Sequence, residues 1–406
     1  MAPSIAIWVA GPILSLVDVS VVGLSSTIDL AALGPATSLA DSTSYVFSFL
    51  AVATTSMVAR SLAGGERHAA SEAIAGALSS AALCGLLLAA FLLVACPTCL
   101  AAYAGAASAA VVPPAAAYVR IRAIGMPFAL ALAVSQAGFL AAKQPGVPLQ
   151  AVCLAAGANL VGDLVLCCGF GCGIVGAAVA TTAAQVLACA YMLAKLLAAR
   201  PEGGAPLLRA LPHTLLAPPD QLAAQWRIGG PVAALIAVKV ALMGFAVGGA
   251  ASALSPDDSA AHVVLYSIYI FAAVIGDAVS QAAQTFLPES AWQMRCLQRF
   301  FRLLMHPPSA LGRPSAAKSL ARSLLATGFA LGAANCVWAG AVAATSPGAF
   351  TTSPSVAALI VSVAPVMALS LVIHTASMAT EGTLKRSAES VEAGGITGLD
   401  FGSVVW

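Results

Sequence analysis

Runs of roughly twenty or more apolar residues follow one another along almost the whole of this chain, and few folds accept such runs. A helix needs about 20 apolar residues to cross the roughly 30 Å hydrocarbon layer of a bilayer. By that rule about ten spans are expected, at Ile5–Leu24, Ser42–Leu62, Ala69–Cys96, Pro114–Ala141, Val147–Phe170, Gly173–Lys195, Ile228–Leu254, His262–Leu287, Ser319–Ala344 and Pro354–Thr380. The runs are too long and too unalternating for barrel strands, and backbone in lipid must satisfy its own polar groups. An all-α polytopic membrane protein is therefore expected. Composition points the same way. Charged residues are 8% of the 406 and apolar residues 60%, whereas a soluble domain carries about 25% charged residues.

Several function classes drop out at this stage. A net charge of +2 with no basic, aromatic-interleaved stripe gives nucleic acid nothing to bind. No HExxH, Walker-type loop or paired CxxC of zinc spacing is present, so neither an enzyme nor a resident cofactor is expected. No cleavable leader or Arg/Ser-rich transit segment precedes the first apolar run, which is read as a processed or incomplete amino terminus.

Basic residues orient the expected bundle. All 18 Lys and Arg except Arg120, Arg122 and Lys239 fall in, or beside, the connections after the even-numbered spans and after the last one. The opposite connections are read as carrying acids (Asp29, Asp41, Asp257, Asp258) or no charge. By the positive-inside rule the amino terminus is expected to be cytoplasmic, or stromal in an organelle. Between spans six and seven, the Pro- and Gly-rich 200–221 reads as a linker. It would divide an amino-terminal lobe (1–199) from a carboxy-terminal lobe (222–386), followed by a tail (387–406). A weak repeat, Ala31–Arg60 against Ala260–Glu289, crosses that linker, and repeated halves are common in secondary transporters.

Ionisable groups in the middle of a span are functional candidates, since each costs about 2.5–3.5 kcal/mol on insertion scales. Asp18 stands six residues from the outer end of span one and Asp163 seven from the outer end of span five. Asn159 lies one turn deeper on the face of Asp163. Thr181 in span six and Tyr118 in span four fall within about one to two turns of the same level. Four helices thus bring oxygens to one layer, enough to hold a small cation. Two carboxylates close together in a dry layer cannot both stay ionised without a counter-charge, and such a pair exchanges protons as a unit.

Blander readings compete. Asp18 and Asp163 also suit structural acceptors, Asn159 and Thr181 interhelical hydrogen bonders, and Tyr118 an interfacial aromatic. Gly244 and Gly248 read as close helix packing, and the CxxC of Cys96 and Cys99 and the group Cys167, Cys168 and Cys172 as small apolar fillers. In the second half, Lys239 and Asp277 form a candidate pair for a cavity, equally consistent with a structural pair, while Glu381 reads as a cap or anchor at the end of span ten.

At these residues the chain resembles a family, the multidrug and toxic compound extrusion (MATE) transporters, in their DinF-related branch and plastid-type plant and algal members. The first helix, APSIAIWVAGPILSLVDVSVVG, is similar to the family's Pro-and-Asp helix through Pro3, Pro12 and Asp18. YVRIRAIGMPFALALAVSQAGFLA resembles its fourth helix, and NLVGDLVLCCGFGCGIVGAAVATTAAQ places Asn159, Asp163 and Thr181 on the family's amino-lobe cation site. AAHVVLYSIYIFAAVIGDAVSQAAQTFLPE and MATEGTLKRS resemble its eighth and tenth helices.

The resemblance implies two pseudo-symmetric helical lobes around a central cavity and antiport of a small organic solute, cationic or phenolic or an organic acid, against H⁺ or Na⁺. It implies a monomer in a plastid envelope. Asp18 and Asp163 would couple the ion, with Asn159, Thr181 and Tyr118 beside them, and Pro3 and Pro12 would let the first helix bend. The family has twelve spans, so a chain read with ten is expected to be a partial or inactive member. Two other functions are weighed. A flippase for lipid-linked precursors would need a cationic cavity, for which Arg120, Arg122 and Lys239 are the available basic residues. An intramembrane aspartyl protease is suggested by the steps Gly162–Asp163 and Gly276–Asp277, but its Gly-x-Gly-Asp motif is broken by Leu160 and Val274.

Overall fold

A computed structural model describes residues 2–104, 106–198, 207–209, 216–251, 255–286 and 315–393. Eleven α-helices occur among them: α1 (Ala2–Ser25), α2 (Thr27–Tyr45), α3 (Phe49–Ala63), α4 (Arg67–Ala104), α5 (Val112–Ala141), α6 (Gly146–Asp163), α7 (Gly173–Ala198), α8 (Pro219–Ala251), α9 (Pro256–Phe286), α10 (Ser315–Thr345) and α11 (Pro354–Ala393). No strand appears among the described residues. Each expected span coincides with a helix over its described part. Six stretches among those residues are long and apolar enough to cross a membrane. Most of the expected linker, 200–206 and 210–215, and the end of the tail, 394–406, lie outside the described residues.

The second span departs from expectation. Instead of beginning at Ser42, helix runs from Thr27 through α2, a 3₁₀ turn at Val46–Ser48 and α3 to Ala63, 37 residues in all. Asp29 and Asp41, expected in connections between spans, therefore stand inside α2. The reason is local. Ser26 caps the helix by accepting from the Asp29 N–H at 3.2 Å. The hydroxyls of Thr37 and Thr43 each bond back 2.7 Å to the carbonyl four residues earlier. A stretch too polar to look like a span thus satisfies its polar groups within its own turn.

The helices form two compact units, residues 1–264 with 348–359, and residues 265–347 with 360–406. In the first, α5 packs on α4, α7, α2 and α3, while α6 packs on α7 and α1. Helix association in lipid gains little from hydrophobicity and relies on close approach and polar links. Both are present. α7 buries Ala177, Ala178, Ala180, Ala184 and Ala188. A Cβ at Gly162 of α6 would stand 2.7 Å from the Ala180 Cβ, so glycine sets how near α6 comes to α7. In the second unit, the Asn335 amide donates to the Ala272 carbonyl at 2.9 Å. Phe271 and Trp338 pack there at a tilt of 50° with ring centres 5.3 Å apart.

Two features of the turn between α6 and α7 position the site. α6 widens into a π-helical turn at Leu164–Gly169, directly after Asp163, a geometry frequent at functional sites. Gly173 then opens α7 at φ +52°, and a Cβ there would run into the Asp29 carboxylate. That carboxylate accepts from the Ile174 N–H at 3.2 Å, tying α2 to the start of α7. Gly173→Ala is predicted to lower stability by about 1–3 kcal/mol, the range for a left-handed non-glycine residue. Thermal unfolding of the purified protein in detergent checks this, and an unchanged midpoint would contradict it.

Candidate functional site

Asn159 and Asp163 are four residues apart on α6, so both side chains leave the same face. Both are buried, at 2% and 0% exposure. The Asn159 amide nitrogen donates to Asp163 Oδ2 at 2.7 Å and to Asp18 Oδ1 of α1 at 3.0 Å. A side-chain amide has two N–H donors, and here both are spent on carboxylates from different helices. Asp18 follows Pro12 by six residues in α1. The missing N–H of Pro12 leaves the Trp8 carbonyl without its helical partner, which weakens the helix one turn and a half before the carboxylate.

Two buried oxygens of this cluster, Asn159 Oδ1 and Asp163 Oδ1, have no hydrogen-bond partner. Each such group in a dry interior costs about 1–3 kcal/mol. Carboxylate and amide oxygens are the ligands preferred by small hard cations, and a proton on either carboxylate would equally serve. The donor set therefore fits H⁺ or Na⁺. Among the described residues no three His, Cys, Asp or Glu side chains gather as a tighter metal site would require.

The remaining candidates are placed differently. Tyr118 of α5 is buried at 3% exposure, not where a lipid-facing belt aromatic sits. It stands within electrostatic reach of Asp18, Asp163 and Arg122. Thr181 is half-buried, and its hydroxyl bonds 2.8 Å back to the Ala177 carbonyl of its own helix. The structure thus joins Asp18, Asn159 and Asp163 directly, leaves Tyr118 nearby and turns Thr181 to its own backbone. Lys239 and Asp277 lie in α8 and α9, and Pro3 and Glu381 in α1 and α11, but their side chains are outside the described residues.

One group stood in the sequence only as a basic residue for a flippase cavity, with no partner assigned to it. Arg122, four residues after Tyr118, is 6% exposed. Its Nη1 donates to Gln185 Oε1 of α7 at 2.7 Å and its Nη2 to Asp41 Oδ1 of α2 at 3.2 Å. The signal for it was spacing. Tyr118 and Arg122 share a face of α5, Thr181 and Gln185 share one of α7, and each pair is one turn apart.

Comparison with known proteins bears on what this arrangement serves. The MatE family profile matches residues 3–165. The chain is 35% identical over 352 residues to Protein DETOXIFICATION 47, chloroplastic, of Arabidopsis thaliana, covering 86% of this chain and 60% of that protein. Among solved structures, an inward-facing multidrug resistance MATE family transporter of the MOP superfamily matches at a TM-score of 0.71 and 17% identity, covering 94% of this chain and 84% of that one. The crystal structure of a eukaryotic MATE transporter matches at 0.67 and 16% identity, covering 97% and 82%. These likenesses establish the helical polytopic membrane fold. Taken together, they describe an integral membrane protein that is similar in sequence to the MatE family over residues 3–165 and to that chloroplastic protein over most of its own length.

Proposed function

We propose that this protein is a secondary active antiporter, moving a small organic solute out of its compartment against H⁺ or Na⁺ by alternating access. The observation that carries the proposal is the single amide of Asn159 holding two carboxylates from α1 and α6. Asp18 and Asp163 are the coupling groups, Asn159 their bridge, and Tyr118 and Thr181 their neighbours. The lobes 1–199 and 222–386, with Lys239 and Asp277 in the second, belong to the same proposal. So does a plastid membrane with a stromal or cytoplasmic amino terminus, supported by the chloroplastic relative. The chain spans 60% of that relative's length.

The energetics suit the task. As a general scale, like unit charges about 5 Å apart repel by roughly 3 kcal/mol at an effective dielectric near 20, and more at closer contact. That is enough to shift a conformational equilibrium about a hundredfold. Loading one positive charge between Asp18 and Asp163 cancels the repulsion and favours α1 against α6. Unloading restores it, draws water in and favours separation, with Pro12 as the point where α1 yields. An ion moves such an equilibrium only through differential affinity for the two packings, which this cluster supplies.

A flippase would want free basic groups along its cavity, whereas Arg122 is held by Asp41 and Gln185. A protease needs two acids sharing one proton around a water, and here an amide donor takes the bridging place between them.

Two variants test the proposal. In proteoliposomes, Asp163→Asn is expected to insert normally and to lose pH- or Na⁺-driven exchange down to the protein-free background. Full activity would overturn the coupling role. Asn159→Ala is expected to keep exchange but to raise the half-saturating concentration of the coupling ion about tenfold or more, since both charge-assisted hydrogen bonds and an amide oxygen leave the cage. An unchanged value would reduce the bridge to a packing contact.

A further inference from the structure

Arg122 is a permanent cation with no part in the mechanism above. Its environment is unusual. The groups that face it are Tyr118 on its own helix, Asp41 from α2, Gln185 from α7 and, by the reach of charge, Asp18 from α1. Asp163 of α6 joins that set through the amide it shares with Asp18. A buried guanidinium is ordinarily neutralised by an equally buried acid. Asp41 does not match it: its side chain is 67% exposed against 7% for Arg122. The neutral amide of Gln185 orients the guanidinium without cancelling its charge. Arg122 Nε is buried with no acceptor. Part of the positive field is therefore left over, and Asp18 stands within it.

We propose that Arg122 is a positioning residue that sets how tightly the carboxylate pair holds its coupling cation, with Asp41 as the opposing weight. The inference rests on the ion-coupled exchange proposed above. A fixed positive charge whose field reaches Asp18 competes with any cation that the pair binds. It also stabilises the pair once the ion has left. Without it, two carboxylates in a dry layer would hold their ion too firmly to release it on every cycle. Asp41 draws part of that charge toward α2, so the balance between the two residues sets the ion's hold. Because Arg122 joins α2, α5 and α7, a movement of α2 that loosened the Asp41 contact would return charge to the pair and expel the ion.

The test uses opposite signs. The full chain is purified, and the half-saturating concentration of its coupling cation is measured twice. One measurement is direct binding in detergent (²²Na⁺, or proton uptake where Na⁺ does not bind); the other is exchange of ethidium in proteoliposomes. Arg122→Gln is expected to tighten the cation about tenfold and Asp41→Asn to weaken it by a similar factor, the scale of one partly screened charge. Arg122→Lys, which keeps the charge, should restore a value near that of the parent protein. A purely structural Arg122 would lower yield and thermal midpoint in all three variants and leave the half-saturating concentration alone, which overturns the inference. A shift in the same direction for Arg122→Gln and Asp41→Asn overturns it too. Should Arg122→Gln fail to fold, Asp41→Asn against Arg122→Lys decides the sign alone. Cation binding without exchange in the parent protein would sink the transport reading while leaving this one standing.

Discussion

Two carboxylates held by one amide inside a lipid-spanning bundle are the constraint on which the rest of the site depends. An ionised group in such a place is expensive unless partnered, and the partner supplied by Asn159 is neutral. The bridge gives each carboxylate one donor but leaves Asn159 Oδ1 and Asp163 Oδ1 without one and cancels no negative charge, so the cluster is an oxygen cage suited to a cation. The local architecture serves that arrangement. Gly162 lets α6 close on α7, the π turn after Asp163 ends α6 at the carboxylate, and Asp29 fixes the start of α7 from α2. Pro12 removes one helical hydrogen bond from α1 ahead of Asp18, which suits the proposed bending of the helix that carries one carboxylate.

Much of the helical architecture was legible from hydropathy, because a span in lipid announces itself by length and lack of charge. Asp18, Asn159 and Asp163 were legible for a related reason: polar groups are conspicuous against Leu, Val and Ala, and depth follows from position along a helix. What was missed is equally physical. Residues 27–42 are helical because Thr37 and Thr43 satisfy themselves on their own backbone, yet their polarity hides them from a search for apolar spans. With that segment misread as a connection, Asp41 looked like a loop acid and could not be paired with Arg122. Thr181 shares a level with the cluster, but its hydroxyl takes the i−4 carbonyl, a choice no spacing reveals.

The first unit therefore contains two linked polar assemblies. One is a carboxylate pair on α1 and α6; the other is a guanidinium that fastens α5 to α2 and α7. They are joined by electrostatics rather than by a shared hydrogen bond, so each can rearrange without breaking the other. Apolar contacts hold α5 and α7 together farther along the two helices. Ile74 of α4, Phe139 of α5, and Met192 and Leu196 of α7 are almost wholly buried in one cluster, a firm body against which the proposed shift of α1 would take place. Likeness to solved MATE transporters accounts for the fold; the charges give a reason for such a fold to have two packings.

Infrared difference spectroscopy of the purified protein, recorded as the coupling ion is added and withdrawn, tests the central claim most directly. The account predicts a carboxyl band that shifts with the ion and is lost in both Asp18→Asn and Asp163→Asn, since the two groups respond as one unit. A carboxyl spectrum indifferent to H⁺ and Na⁺, or a band that survives both substitutions, would show that the ion binds elsewhere and would contradict the account.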